Sequence, residues 1–241
     1  MYKNCVFDVY GTLIDIRTNE YDLKNWEQLT KTLAFYGVNY SAEELKNAYF
    51  TYCDYQVQQG SLNYEYPEVD VVEVFRSIFE NKGKKIGKVL AKHIAQEFRA
   101  LSTEYIRVYD GVTDTLAKLK KAGKKLYILS NAQKCFTQQE LINLDLPKYF
   151  KGIAYSSDYK CAKPDAALFE VITEKFKLKK EETIYVGNDA FCDVNGAHNA
   201  KLDCLLIKTN LTNASVQPKR PPEYTVDNGD FTEIARLLLN N

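Results

Sequence analysis

Four stretches of the chain set reactive residue types just after short apolar runs. Asp8 follows CVF in CVFDVYG, and Ser130 and Asn131 close KKLYILSN. Lys163 stands in KPD after GIAYSS, and Asn188, Asp189 and Asp193 follow TIYVG in TIYVGNDAFCD. Apolar runs of this length, ended by Gly or polar residues, read as buried strands. One carboxylate at a strand end is ordinary. Carboxylates, a lysine, a hydroxyl and amides at four strand ends make a site. Parallel sheets bind ligands at the carboxyl ends of their strands, so the expected ligand is a small anionic molecule held there.

The elements that must position these residues follow from periodicity. From Tyr21 to about Arg107 the chain reads as helices. LKNWEQLTKTLAFYG sets Leu23, Trp26, Leu29 and Leu33 at helical spacing, and SAEELKNAYFTYC opens with a capping-box signature, Ser41 to Glu44. EVDVVEVFRSIFENKG and VLAKHIAQEFRALSTEYI continue the pattern without a strong strand signal. After Asp110 and Gly111 strands and helices alternate. This alternation predicts an α/β fold with a parallel sheet covered on both faces. The first strand is separated from the others by the helical run. The expected division is therefore a core of residues 1–15 and 109–241 with a helical domain, 16–108, inserted between its first two strands.

Lys and Arg together number 32, as do Asp and Glu, so no net field exists to hold nucleic acid or an anionic membrane. No apolar run approaches the roughly 18 residues of a transmembrane helix. The apolar run at the start is short and broken by Asp8, unlike a signal peptide. Six scattered cysteines without a C-x-x-C pair read as reduced thiols of a cytoplasmic protein. His93 and His198 fit no metal spacing. No apolar surface stripe is left over to define an oligomer.

The motifs have a specific likeness. D-x-x-G-T-L-x-D from Asp8 to Asp15 resembles the opening motif of the haloacid dehalogenase superfamily. LSN at 129–131, KPD at 163–165 and VGND-x-x-x-D-x-x-GA at 186–197 are similar to its other three motifs, in order. The resemblance implies a Rossmannoid hydrolase core with a helical cap. It implies Asp8 as nucleophile, with Gly11 and Thr12 shaping the turn so that backbone amides face an oxyanion. Ser130 and Asn131 would donate hydrogen bonds to the transferred group, and Lys163 would offset charge beside Asp8. Lys160, three residues earlier, is a competitor for that role. Mg²⁺ would be held by Asp8, the Tyr10 carbonyl, Asp193 and either Asn188 or Asp189.

Position 10 departs from the phosphatase pattern. Superfamily phosphatases carry an Asp there that protonates the leaving alcohol, whereas this chain has Tyr10. D-x-Y-G-T-L resembles the 2-haloacid dehalogenases, which release a halide, need no such proton and use no metal. Those enzymes need a cap arginine for the substrate carboxylate, and none of Arg17, Arg76, Arg99 and Arg107 sits in the expected helix. Asp193, five residues after Asn188, has the phosphatase spacing, while Asn188 stands where a metal-binding Asp is usual. The expected activity is Mg²⁺-dependent hydrolysis of a small phosphorylated metabolite. A metal-free (S)-2-haloacid dehalogenase is the alternative, and a pocket-retaining binding protein of weak activity is a third reading. The cap is rich in tyrosine, with Tyr49, Tyr52, Tyr55, Tyr64 and Tyr66 as candidates for its pocket wall.

Overall fold

The computed structural model of the chain describes residues 1–240. Its main sheet contains β1 (Asn4–Phe7), β4 (Lys125–Ser130), β5 (Gly152–Tyr155), β6 (Thr183–Gly187), β7 (Asp203–Ile207) and β8 (Tyr224–Val226). Their order is β5-β4-β1-β6-β7-β8, and every pairing is parallel. β1 lies at the centre, with β4 on one side and β6 on the other. The chain order reverses across β1, so the ends of β1, β4 and β6 flank a switch-point crevice where ligands bind in such sheets.

Alternation along each strand explains why both faces are covered. Phe7, Leu126, Ile128, Ile184, Val186 and Leu205 enter one apolar layer, against α5 (Val112–Lys121) and α10 (Phe231–Asn240). Val6, Tyr127, Leu129, Tyr185 and Cys204 enter the other, against α8 (Ala166–Lys175) and α9 (Gly196–Asn199). A period of two with both sets buried is what a doubly covered parallel strand requires.

Between β1 and β4 the chain forms α1 (Leu23–Phe35), α2 (Ala42–Gly60), α3 (Val71–Asn81) and α4 (Lys88–Ser102). Their core is separate. Trp26, Leu29 and Leu33 of α1 meet Tyr49 of α2, Phe75 and Phe79 of α3, and Phe98 of α4. The Ser41 hydroxyl accepts from the Glu44 amide and the Glu44 carboxylate accepts from the Ser41 amide, so the capping box closes. No helix among the described residues is long and apolar enough to cross a membrane.

One expectation fails. The helix read through LSTEYI stops at Ser102, and Thr103–Val108 is a strand, β3, paired antiparallel with β2 (Ile14–Thr18). TEYIRV has β-branched and aromatic residues, but its partner strand lies about ninety residues earlier, so local periodicity could not reveal the pairing. The ribbon straddles both expected domain joints. Asp15, at 1% exposure, binds Arg107 Nε and Nη2 at 2.9 and 2.7 Å, Tyr105 OH at 3.2 Å and Asn210 Nδ2 at 3.0 Å. These donors hold its carboxyl below the usual range against the opposing effect of burial.

The helical segment touches the core elsewhere too. Ala162 N donates to Tyr66 O at 2.7 Å, and Glu68 N to Lys160 O at 3.0 Å. Gln133, after β4, donates to Val69 O at 2.6 Å and accepts from Val71 N at 3.2 Å. α6 (Lys134–Asn143) receives α4, whose Gln96 donates to Cys135 O at 2.8 Å.

Candidate active site

Asp8 follows the last residue of β1 and is 6% exposed. Its Oδ1 accepts from Ser130 Oγ at 2.8 Å and from Lys163 Nζ at 2.7 Å. Among the described residues no donor is bonded to its Oδ2. Lys163 lies between β5 and α8 and donates in addition to Asp193 Oδ1 at 2.7 Å and to Tyr185 OH at 2.8 Å. The Lys163 ammonium is thus satisfied by two carboxylates and a phenol. Burial alone would lower its pKa, but Asp193 and Asp8 outweigh that and hold it above the ordinary lysine range. Asp8 is raised as well, by a different balance. Burial raises its carboxyl, Lys163 and Ser130 pull it down, and Asp193 pushes it up again, leaving it raised.

Asn131 shapes this centre through the backbone. Its Oδ1 accepts from Lys163 N at 2.7 Å and its Nδ2 donates to Lys163 O at 3.1 Å, a two-point clamp on the lysine loop. The Ser130 proton is likewise spent on Asp8. The family resemblance assigns both residues to the transferred group; here the Ser130 hydroxyl bonds Asp8 and the Asn131 amide bonds the Lys163 backbone. Lys160 has an exposed side chain and contributes its carbonyl to the bond from Glu68 N.

The turn after Asp8 is tight. Gly11 has φ +80°, and a Cβ there would lie 2.3 Å from the Asn188 side chain. Glycine alone meets both demands. Thr12 Oγ1 donates to Asn188 Oδ1 at 3.2 Å, which ties this turn to the loop after β6. Asp189 caps the π-helical turn Ala190–Asn195, its Oδ1 accepting from Phe191 N at 2.8 Å and Cys192 N at 2.6 Å. Asp193 Oδ2 accepts from Asp189 N at 2.8 Å.

Asp8 and Asp193 are brought together around Lys163; Asn188 and Asp189 border them, each with its Oδ1 already bonded. Among the described residues no three carboxylate, imidazole or thiolate groups converge as a metal cage. The donor set still suits a hard cation. Two carboxylates and one ammonium leave a net negative charge in a buried place, which is costly without compensation. Mg²⁺ keeps several waters and takes one or two carboxylates.

Tyr10 behaves differently from the rest. Its hydroxyl lies 2.7 Å from Thr137 Oγ1 and donates to Glu140 Oε2, both on α6. Burial first, and Glu140 second, push the phenol far above its ordinary pKa. Arg99 of α4 donates to Glu140 Oε1 at 2.7 Å, and its guanidinium lies 5.5 Å from the centroid of the Tyr10 ring. A cavity of about 410 Å³ adjoins this cluster between the helical segment and the sheet edge. Tyr10, Arg99, Asn131 and Gln133 line it, as do Tyr21, Tyr49 and Phe50 of the helical side. Of the tyrosines expected in a pocket wall, Tyr49 is there. Tyr55 and Tyr64 line a separate groove with Lys160, and Tyr66 packs edge-on against Phe191. Asp8 itself is not in the lining of the 410 Å³ cavity, which reaches the catalytic turn through Tyr10 and Asn131.

Three participants escaped the sequence reading. Tyr185 lies mid-strand, on the face opposite Ile184 and Val186, and only the fold carries its hydroxyl to Lys163. Gly187 is needed because a Cβ there would lie 2.3 Å from the Asp193 carboxylate. Glu140 is an ordinary helical glutamate until α6 docks beside Tyr10.

A parallel sheet with a lysine and two carboxylates at its switch point, and a helical insertion after its first strand, defines a Rossmann-like α/β protein. The chain belongs to the haloacid dehalogenase-like hydrolases, whose family model matches residues 2–201. It is 30% identical over 109 residues to a glyceraldehyde 3-phosphate phosphatase of Methanothermobacter thermautotrophicus, covering 45% of this chain and 48% of that one. The chain spans about half the length of the two glyceraldehyde 3-phosphate phosphatases it matches in Methanothermobacter and Pyrococcus. It is 23% identical to (S)-2-haloacid dehalogenase 4A of Burkholderia cepacia over 92% of this chain and 86% of that one. Its fold is similar to that of a HAD phosphatase from Thermococcus onnurineus, with TM-score 0.61, 18% identity, and 98% and 97% of the two chains covered.

Proposed function

We propose that the chain is a Mg²⁺-dependent phosphatase that hydrolyses the phosphoric monoester of a small metabolite, with Asp8 as its nucleophile. The observation that carries this reading is the buried trio in which Lys163 bonds Asp8 and Asp193 at 2.7 Å each. Its excess of negative charge calls for a divalent cation before a phosphoryl group can approach. The similarity to proteins named as phosphatases agrees with this reading.

Asp8 Oδ2, free of hydrogen bonds, attacks phosphorus while Ser130 and Lys163 fix Oδ1. The ester P–O bond breaks and the leaving alkoxide takes its proton from water. Water then attacks the phosphoaspartate at phosphorus, releasing phosphate and restoring Asp8. Lys163 offsets charge that builds on the phosphoryl oxygens. The amides of Gly11 to Ile14 bond carbonyls within the turn, so those of Val9 and Tyr10 are the ones left to face the same oxygens. Asp8 and Asp193, with the Tyr10 carbonyl and with Asn188 or Asp189 alongside, would hold Mg²⁺, which would supply further charge neutralisation. The Tyr10 phenol is no acid here, because its one proton is committed to Glu140. Residues 16–108 act as a cap over a core of 1–15 and 109–241 and exclude water during turnover. The setting is cytoplasmic.

The test is hydrolysis of p-nitrophenyl phosphate by the native chain and by Asp8→Asn, each with Mg²⁺ and with EDTA. Native activity lost on either change is the expected result. Metal-independent activity, or activity that survives Asp8→Asn, sinks the reading.

A second reading has one specific observation behind it. A phenol withheld at Tyr10 suits a leaving group that needs no proton, as in a 2-haloacid dehalogenase. Chloride release from 2-chloropropionate in EDTA would favour it.

A further inference from the structure

The cavity above Tyr10 contains one cation, and that cation is already paired. Arg99 Nε donates to Glu140 Oε1 at 2.7 Å, and its Nη1 lies 3.8 Å from Glu20 Oε1. The Arg99 and Glu140 side chains are 15% and 14% exposed, so solvent does little to screen them. Two carboxylates around one guanidinium leave the cluster net negative. Glu68, a further carboxylate, also lines the cavity. The rest of the wall is largely aromatic. Tyr21 and Phe50 stack at 5.1 Å with 8° between their planes, and Tyr49 and Phe136 stand nearby.

A second anionic group on a substrate would enter this space against like charge, towards a guanidinium whose charge two carboxylates already offset. An uncharged group with apolar or aromatic surface would meet rings that match it. We propose that Glu140 determines substrate specificity by quenching Arg99, so that the enzyme takes phosphomonoesters whose alcohol portion is uncharged and apolar or aromatic, and rejects those that carry a carboxylate. This rests on the phosphatase reading and adds the substrate class to it. Glu140 touches Tyr10 and Arg99, not the reacting atoms; it acts through the charge it cancels.

Removing that carboxylate leaves Arg99 with Glu20 alone, at 3.8 Å, and turns the net negative cluster neutral. Glu140→Gln keeps an amide oxygen for the Tyr10 hydroxyl but no longer neutralises Arg99. Two non-hydrolysable probes read the change without turnover: phosphonoacetate, which carries a carboxylate, and ethylphosphonate, which does not. Their affinities are measured by calorimetry with Mg²⁺ present. The native chain should bind phosphonoacetate no more tightly than ethylphosphonate. Glu140→Gln should shift the ratio about tenfold or more towards phosphonoacetate, the scale of one hydrogen bond to a charged group. Arg99→Met added to Glu140→Gln should return the ratio to the native value, which a merely structural loss would not do. A native preference for phosphonoacetate, or a ratio unmoved by Glu140→Gln, overturns the specificity proposal and leaves the phosphatase reading standing. Binding of neither phosphonate to any of the three proteins removes both.

Discussion

Two clusters of this molecule share one formula, a cation between two carboxylates, and put it to different use. Lys163 sits between Asp8 and Asp193, with its side chain 3% exposed and its partners rising from the ends of central strands. Arg99 sits between Glu140 and Glu20, bridging the helical segment and the sheet domain. In the first cluster the partners stand at strand ends, and Asp8 Oδ2 carries no hydrogen bond among the described residues, which the proposed mechanism uses. In the second, two carboxylates offset the charge of one guanidinium, whose Nε donates to Glu140. The comparison teaches that a buried ion cluster becomes a reactive centre through what it leaves unsatisfied.

Substitutions can break the comparison at several levels. The largest effect is expected at Asp8. Asp8→Asn should cut turnover of p-nitrophenyl phosphate by about 10⁴-fold or more, the scale of losing a nucleophile, while thermal unfolding stays cooperative. No residue of the Arg99 cluster should approach that loss on the same substrate. Next comes Lys163→Met, which strands two buried carboxylates and should cost about 3–5 kcal/mol in urea unfolding. Arg99→Met strands one carboxylate, not two, and Glu140 keeps the Tyr10 hydroxyl, so about 1–3 kcal/mol is expected in the same measurement. Equal costs at the two cations would contradict the difference drawn between the clusters.

The smallest effect concerns Asp15 and the β2–β3 ribbon. Its carboxyl is held below the usual range in the folded state, by its hydrogen bonds against the opposing effect of burial. A depressed folded pKa gives stability that is present above the unfolded value of about 4 and is lost as pH falls through the folded value. Thermal melts of native chain and Asp15→Asn should differ by a few degrees at pH 7 and converge as pH drops below the ordinary carboxylate range. A gap that persists at low pH would show that shape, not charge, holds the ribbon.

Much of the core was legible because its signals are local. A strand, a Gly turn and a carboxylate fall within eight residues around Asp8, and the alternation of Val6 and Phe7 already states that both faces are buried. The helices of the insertion announce themselves through Trp26, Leu29 and Leu33 at helical spacing. The ribbon was not legible, since Ile14–Thr18 and Thr103–Val108 become strands only by finding each other.

The sequence by itself determined the order of elements, the layers they form and the strand ends at which Asp8, Lys163 and Asp193 stand. Periodicity and turn chemistry act over a few residues, and the chain carries them wherever it goes. Only the tertiary structure decided what each group touches. Ser130 donates to Asp8, Lys163 donates to Tyr185, and Glu140 accepts from both the Tyr10 hydroxyl and Arg99. Hydrogen bonds and charge pairing act over about 3 Å, and residues 10, 99 and 140 come that close only after the helical segment has packed onto the sheet.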